Sequence, residues 1–195
     1  MTSPQIVSDT RRVMQIDTVS GLILDAVQVA SPNSDARPEA GPIDTLVIHS
    51  ISLPPGKFGG GGIEQLFCNK LNPDEHPYYR EIQGLKVSAH VLIRRDGQLV
   101  QFVSLNGRAW HAGLSYCDGR TRVNDFSIGI EMEGSDDFPF EEAQYESLAS
   151  LTRALRQAYP SITPARIYGH CDIAPGRKTD PGPTFDWSRY LKSCS

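Results

Sequence analysis

The chain has 195 residues, of which 39% are hydrophobic and 22% charged, an ordinary composition for one folded domain. Its net charge of −4 and the lack of a basic cluster argue against a nucleic-acid partner. The apolar stretch at residues 19–30 is interrupted by polar residues, so we expect neither a signal peptide nor a membrane span. The four cysteines form no CxxC pair, which favours the reducing cytoplasm and argues against a disulfide scaffold.

The first 30 residues mix polar, acidic and small side chains. We expect them to form a loosely packed N-terminal arm before a single domain at residues 31–195. The domain's first strong element is the β-favouring run from Thr45 to Ile48. This run predicts a buried strand that places His49 at its carboxyl end.

Residues 54–84 show no sustained hydrophobic period and open with two prolines and a glycine, followed by four glycines at residues 59–62. Within this segment only Ile63, Leu66 and Phe67 have helical spacing, which predicts a short helix. A long loop in a compact domain is usually functional or mobile, so we interpret the segment as a mobile lid with a glycine hinge. A tolerated surface insertion is the alternative.

The second half of the chain begins with a predicted hairpin. Two β-favouring runs between Val87 and Ser104 flank Asp96-Gly97, a pair that favours a tight turn. From Ser127 to Glu133 apolar residues alternate with glycine and glutamate. Because neighbouring side chains of a strand point to opposite faces, Glu131 is expected on the face opposite the isoleucines.

A helix is predicted from Glu141 to Tyr159, because apolar residues recur there at helical spacing and Pro160 provides a stop. A short strand follows at residues 166–169, and a Pro- and Gly-rich loop leads to a closing segment at residues 185–191. Strands interleaved with helices predict a mixed α/β fold.

Histidines stand at the ends of two of these predicted strands. His49 and His170 suggest a metal site, because imidazoles on rigid elements can hold coordination geometry. Prolines restrict the loop after His170, so Asp180 could supply a third, oxygen ligand and leave a fourth position open, as catalytic zinc requires. The alternatives are ordinary histidines and a turn in which Asp172 and Asp180 only bond the backbone.

Five runs carry the most specific motifs of the chain: residues 48–56, Ser88–His90, Arg108–Gly113, Asn124–Gly134 and Gly169–Pro183. Together they resemble the zinc-dependent N-acetylmuramoyl-L-alanine amidases. Within that family the likeness is greatest to the cytoplasmic branch that acts on 1,6-anhydro-muropeptides in cell-wall recycling. The resemblance covers roughly residues 41–191.

The resemblance implies a central mixed β-sheet flanked by helices and one catalytic Zn²⁺. The positions that match the family's zinc ligands are His49, His170 and Asp180. Glu131 matches the general base, and Lys178 matches a lysine that stabilises the oxyanion. The implied reaction is hydrolysis of the amide between the lactyl group of 1,6-anhydro-N-acetylmuramic acid and L-alanine of the stem peptide.

The resemblance also implies substrate contacts. Trp110 and His111 match a Trp-His pair near the sugar or lactyl group, and Arg122 matches an arginine that binds a peptide carboxylate. Two positions depart from the family's pattern. Lys86 replaces an arginine, which exchanges a bidentate group for a point charge, and Ser50 replaces an asparagine beside the first ligand.

Three other functions are compatible with parts of this pattern. An amidase that acts on intact peptidoglycan would need export. A peptidoglycan-recognition module would bind muropeptide without cleaving it, and such modules lack part of the zinc set. A structural zinc would need a fourth protein ligand, for which Cys171 is the candidate. We expect a monomeric enzyme whose partner is the anhydro-muropeptide substrate, with neither nucleic acid nor membrane bound.

Overall fold

The computed structural model describes residues 14–39 and 41–194. The strands in this part of the chain are β1 (Ile16–Asp17), β2 (Leu22–Ile23), β3 (Val27–Gln28), β4 (Ser34–Asp35), β5 (Thr45–Ile51), β6 (Val91–Ile93), β7 (Leu99–Gln101), β8 (Arg108–Ala109), β9 (Tyr116–Cys117), β10 (Arg120–Thr121), β11 (Ser127–Glu133) and β12 (Ile167–Gly169). The α-helices are α1 (Gly62–Phe67), α2 (Pro77–Glu81), α3 (Glu142–Ala158), α4 (His170–Ile173) and α5 (Trp187–Ser193). None of these helices combines the length and hydropathy that crossing a bilayer requires.

The main sheet of the described residues has six strands in the order β12-β5-β11-β6-β7-β3. The strands β12, β5, β11 and β6 are mutually parallel, whereas β7 pairs antiparallel with β6. The edge strand β3 pairs parallel with β7. The predicted mixed α/β fold with a central mixed sheet flanked by helices is therefore confirmed.

One face of the central strands carries the largest hydrophobic core. Leu46 and Ile48 of β5 and Ile128, Ile130 and Met132 of β11 are fully buried there. They pack against the apolar side of α3 and against Tyr190 of α5. Burying a side chain of this kind contributes about 1.5–3 kcal/mol, so this face fixes the register of both strands. Alternation along each strand then turns the intervening side chains toward the opposite face.

Helix α3 matches the prediction for residues 141–159 within one residue at each end. The backbone N–H of Glu141 donates to Oε1 of Gln144 at 3.0 Å, which satisfies a donor at the start of the helix. Nε2 of Gln144 donates in turn to the carbonyls of Ile93 at 3.2 Å and Glu133 at 3.0 Å. The Gln144 side chain thus caps the start of α3 and hydrogen bonds to two strands of the sheet.

The predicted hairpin is confirmed as β6 and β7, joined through Asp96 and Gly97. Gly97 has a φ of +85°, and its N–H donates to the carbonyl of Arg94 at 2.9 Å. A side chain at this position would also approach the carbonyl oxygen of Ala143 to 2.8 Å. The turn therefore requires glycine both for its backbone conformation and for the close approach of α3.

Residues 14–30 of the predicted N-terminal arm are mostly exposed, but a few of them anchor this segment to the domain. Ile23 is fully buried in the main core, and its N–H donates to Oε1 of Gln101 at 2.8 Å. Ile16 packs against the same core, and β3 extends the central sheet. These few buried side chains do not recur at a regular spacing, so no hydrophobic pattern in the sequence predicts this packing. Residues 1–13 of the predicted arm lie outside the described residues.

The segment at residues 54–84 contains the short helix predicted around Ile63, Leu66 and Phe67, all of which are buried. It also contains the unpredicted helix α2, which buries Tyr79. The glycine run is fastened to the sheet, since the N–H of Gly59 donates to Oε1 of Glu133 at 2.6 Å. Motion of this segment as a lid stays a prediction.

Candidate active site

The register of β5 and β11 brings His49 next to Glu131. The two residues are direct partners across these parallel strands, and both side chains lie on the face opposite the main core. Neighbouring strands are about 4.8 Å apart, so this pairing places an imidazole beside a carboxyl group. His49 is the fifth of the seven residues of β5, slightly before the strand end at which it was predicted.

The other two predicted ligands reach the same place from the end of β12. This strand pairs with β5 so that Gly169 lies opposite Ile48, and His170 is the first residue of α4. The N–H of Cys171 donates to the carbonyl of Asp180 at 2.9 Å, which folds the Pro- and Gly-rich loop back toward His170. The loop thereby returns a carboxylate to the two histidines.

Three potential ligand atoms converge at this point. Nδ1 of His49 lies 2.9 Å from Nδ1 of His170 and 3.3 Å from Oδ2 of Asp180, and the distance from His170 Nδ1 to that oxygen is 3.0 Å. Ligands of a tetrahedral zinc ion at about 2.0–2.2 Å are about 3.3–3.6 Å apart. Two imidazole nitrogens and one carboxylate oxygen this close together therefore fit a single zinc ion.

His49 is buried, and burial is the main cause that lowers its pKa to about 4. The imidazole is therefore neutral at pH 7, as a metal ligand must be. The alternative of a structural zinc with Cys171 as fourth ligand has no support among the described residues. The sulfur of Cys171 does not join the ligand cluster but lies 3.8 Å from Oδ1 of Asp172.

Both histidines of the ligand-atom cluster also contact the short segment formed by His111 and Ala112. Nε2 of His49 lies 2.9 Å from Nδ1 of His111, and Nε2 of His170 lies 3.2 Å from the carbonyl oxygen of Ala112. Nε2 of His111 in turn lies 3.1 Å from Oγ of Ser127. Both ring nitrogens of His111 are thus engaged within the protein.

A half-buried cation lies behind these histidines. Arg37 donates to backbone carbonyls, among them that of Ser127 at 2.8 Å, and its Nη2 lies 2.9 Å from Nε2 of His90. Nδ1 of His90 accepts from the N–H of Gly129 at 3.0 Å. Burial, and then the charge of Arg37, hold the pKa of His90 well below its usual value. The histidine row formed by His90, His111 and His49 is therefore uncharged at neutral pH.

Glu131 is the buried acid of the site. Its side chain lines the cavity beside the ligand cluster, and its Oε2 has no hydrogen-bond partner among the described residues. Burial, and then the charge of Asp180, raise its pKa well above the ordinary value, whereas the charge of Lys178 lowers it. A buried carboxyl group with a raised pKa is typical of residues that take up and return a proton in a reaction.

A cavity of about 660 Å³ opens over the ligand cluster. Its lining includes the apolar residues Leu66 and Phe67 as well as the cations Arg177 and Lys178, which stand on the loop that carries Asp180. The cavity therefore combines apolar surface with charged groups of both signs. The volume lies within the range of about 300–1,000 Å³ for small-molecule sites.

Two of the three predicted substrate contacts line the cavity, and the third does not. Trp110 and His111 line the cavity, as does Ser50, one of the two departures from the family pattern. Arg122 does not line it, and its side chain is 69% exposed and forms an ion pair with Asp125 at 3.0 Å. Lys86 is exposed and likewise stands outside this cavity.

Sequence reasoning missed the residues that support the site from behind. The contacts of Arg37, Asn124 and Ser127 with the histidine row join positions far apart in the chain, and no local pattern marks them. Asn124 and Ser127 do fall within one of the runs that carried the family resemblance. The resemblance of that run to the family was the available signal, but it implied no role for Asn124 or Ser127.

Comparison with known proteins identifies the family of this chain. The profile of the family described as N-acetylmuramoyl-L-alanine amidase matches residues 39–183. Because the match covers well over half of the sequence, the chain belongs to this family.

Two relatives narrow the likeness further. The chain is 54% identical over 177 residues to the 1,6-anhydro-N-acetylmuramyl-L-alanine amidase AmpD of Haemophilus influenzae, covering 91% of this chain and 96% of that protein. It is 55% identical over 170 residues to the protein of the same name from Escherichia coli, covering 87% and 92% of the two chains.

Solved structures of related amidases are also similar to this chain. A crystal structure of an AmpD selenomethionine derivative matches with a TM-score of 0.90 and 51% identity, covering 93% of this chain and all of that one. The Escherichia coli amidase AmiD, in complex with anhydro-N-acetylmuramic acid-L-Ala-D-γ-Glu-L-Lys, matches with a TM-score of 0.58 and 29% identity. That match covers 80% of this chain and 60% of AmiD.

Proposed function

We propose that this protein hydrolyses the amide bond between the lactyl group of 1,6-anhydro-N-acetylmuramic acid and the L-alanine of a stem peptide, in cell-wall recycling. The observation that carries the proposal is the convergence of three ligand atoms within 2.9–3.3 Å beside the buried Glu131. The substrate is supported by relatives named 1,6-anhydro-N-acetylmuramyl-L-alanine amidase at 54–55% identity over most of the chain.

The metal of the proposed enzyme is one zinc ion. His49 and His170 would hold it through Nδ1, and Asp180 through Oδ2. Three protein ligands leave one position open, which is the arrangement of catalytic rather than structural zinc sites. When bound, zinc would supply a Lewis acid that polarises the amide carbonyl and makes water acidic at neutral pH.

Glu131 is the proposed general base and then general acid. Its carboxylate takes one proton from the water whose oxygen bonds to the lactyl carbonyl carbon. It returns that proton to the alanine nitrogen as the carbon–nitrogen bond breaks, which gives a lactyl carboxylic acid and a free amine. The acid then loses its proton to the amine, so the final products are a carboxylate and an ammonium group. The raised pKa of the buried carboxyl supports this role, because the group must hold the proton between the two steps.

Lys178 is the proposed partner of the oxyanion. It lines the same cavity as Glu131 and its charge lowers the pKa of that carboxyl, and a cation in the cavity supports a role in stabilising negative charge that develops on the substrate. We further propose that Trp110 forms a wall against the sugar or lactyl group. The proposed role of Arg122 is to bind a carboxylate of the stem peptide, at the exposed position it occupies outside the cavity.

We also propose that the enzyme acts as a monomer in the cytoplasm. The four cysteines Cys68, Cys117, Cys171 and Cys194 are free thiols, which supports a reducing compartment. The proposed site is complete within one chain, which supports a monomer, because no ligand or acid needs to come from a second copy.

The direct test is mass spectrometry of the products formed from an anhydro-muropeptide and from its non-anhydro counterpart. Zinc-loaded protein is incubated with each substrate, with and without a chelator, and zinc is then added back. We expect release of free stem peptide mainly from the anhydro form, loss of activity with chelator and recovery with zinc. If protein shown to hold zinc cleaves neither substrate, the proposed activity is wrong and a muropeptide-binding module becomes the better account.

A further inference from the structure

The two histidines of the ligand cluster can bind a metal through Nδ1 only if their protons sit on Nε2. The contacts of the short segment formed by His111 and Ala112 determine where those protons are. We propose that this segment is the positioning element for both histidine ligands, with the His111 side chain orienting His49 and the Ala112 carbonyl orienting His170. The inference rests on the proposed zinc site.

The hydrogen bonds of Ser127 determine which ring nitrogens of His111 and His49 carry a proton. A serine hydroxyl has one hydrogen, and Oγ of Ser127 donates it to the carbonyl of Val123 at 2.6 Å. The same oxygen must then accept from Nε2–H of His111, which lies 3.1 Å away. His111 therefore has no hydrogen on Nδ1, and this nitrogen accepts from Nε2–H of His49 at 2.9 Å. The lone pair on Nδ1 of His49 is left for the metal.

The His170 side is fixed more directly. A carbonyl oxygen can only accept, so Nε2 of His170 donates to Ala112 at 3.2 Å and leaves Nδ1 without a proton. Both Nδ1 atoms and the Asp180 carboxylate thus face one another with lone pairs and no hydrogen between them. That arrangement is favourable only around a cation.

The segment itself is held on three sides. Oδ1 of Asn124 accepts from the backbone N–H groups of His111 at 3.1 Å and of Ala112 at 2.8 Å. Nη2 of Arg177 donates to the Ala112 carbonyl at 2.6 Å. Gly129 provides the space for the ring, because a Cβ there would lie 2.4 Å from Cγ of His111. These contacts leave the imidazole of His111 little freedom to turn toward a substrate.

The test measures zinc affinity by competition with a chromophoric chelator, alongside kcat and KM. His111→Leu removes the acceptor for His49, and we expect a 10–100-fold weaker zinc affinity, the range found for such partners of metal-binding histidines. His111→Asn keeps an acceptor oxygen near the position of Nδ1, so it should recover affinity to within a few-fold of wild type. Ser127→Ala should weaken zinc binding in the same direction, because it removes the acceptor that fixes the His111 tautomer.

Thr152→Val is the matched control, because it removes a buried hydroxyl that hydrogen bonds to Tyr190 on the other face of the sheet. It should lower thermal stability and leave zinc affinity unchanged. If His111→Leu and Ser127→Ala bind zinc as tightly as wild type and only raise KM, His111 is a substrate contact and the inference is wrong. Equal loss of affinity in His111→Leu and His111→Asn would also overturn it. Zinc affinity is read without substrate, so an error in the proposed activity would not affect either result.

Discussion

Gly129 lies in the middle of β11, directly beneath the ring of His111, and Gly129→Ala should damage both stability and metal binding. An added Cβ would lie 2.4 Å from Cγ, 2.6 Å from Nδ1 and 2.7 Å from Cδ2 of that ring. Carbon atoms in ordinary contact are about 3.5–4.0 Å apart, so ring or strand must move by about 1 Å. The central strand is paired on both sides and cannot yield easily.

The cost follows from the partners that His111 would lose. Moving its ring by about 1 Å breaks at least one of its bonds, to His49 at 2.9 Å or to Ser127 at 3.1 Å. Overpacking costs about 1–3 kcal/mol, and a buried polar group left unpaired costs about 1–3 kcal/mol more. The total is about 2–6 kcal/mol, so at roughly 2–4 °C per kcal/mol for a chain of this size the melting temperature should fall by about 4–24 °C.

The assay is thermal unfolding of metal-free protein, followed by zinc titration of the folded variant. Gly60→Ala is the control, because Gly60 does not have a positive φ and a Cβ there would meet nothing within 4 Å. The control should unfold within about 4 °C of wild type, since replacing glycine by alanine at an unstrained site changes stability by about 1 kcal/mol or less. If Gly129→Ala matched Gly60→Ala in melting temperature and zinc affinity, the steric reasoning would be refuted.

Three further predictions concern the acid, the lid and the thiols. In metal-free protein, Glu131→Gln should raise the melting temperature more at pH 8 than at pH 5. Burial raises the pKa of Glu131 above its ordinary 4.5, so the wild-type protein loses stability as the pH rises above that value. An equal gain at both pH values would contradict this reasoning. In hydrogen-exchange mass spectrometry, amides at residues 69–76 should exchange faster than β6 and β7 and slow when anhydro-muropeptide binds, whereas equal protection would argue against a lid. Unfolded, unreduced protein should show four reactive thiols, and fewer would mean a disulfide.

The sequence predicted the central part of the site because its signals are local. The alternation around Glu131 and the apolar run before His49 each define a strand, and each strand assigns its polar residue to a face. The prolines around Asp180 likewise mark a loop with restricted backbone freedom. The structure adds that these three residues lie together, which depends on the order and register of the strands.

The supporting contacts could not be predicted in the same way. His111 and His49 are 62 residues apart, and the role of His111 depends on the register between strands and on a hydroxyl from Ser127. The partial burial of Arg37 could not be predicted either, since a lone arginine in a polar stretch is usually exposed to solvent. Its position depends on backbone carbonyls of distant loops, such as that of Asn124 at 3.0 Å.

The most direct test of the proposed chemistry is the zinc content and turnover of Glu131→Gln, measured on the same preparation with an anhydro-muropeptide. Glutamine keeps the shape of the side chain but cannot take a proton from water, so the variant should bind one zinc ion per chain while its rate falls about 10²–10⁴-fold. A variant that holds zinc and releases stem peptide at a near-normal rate would contradict the assignment of Glu131 as the general base.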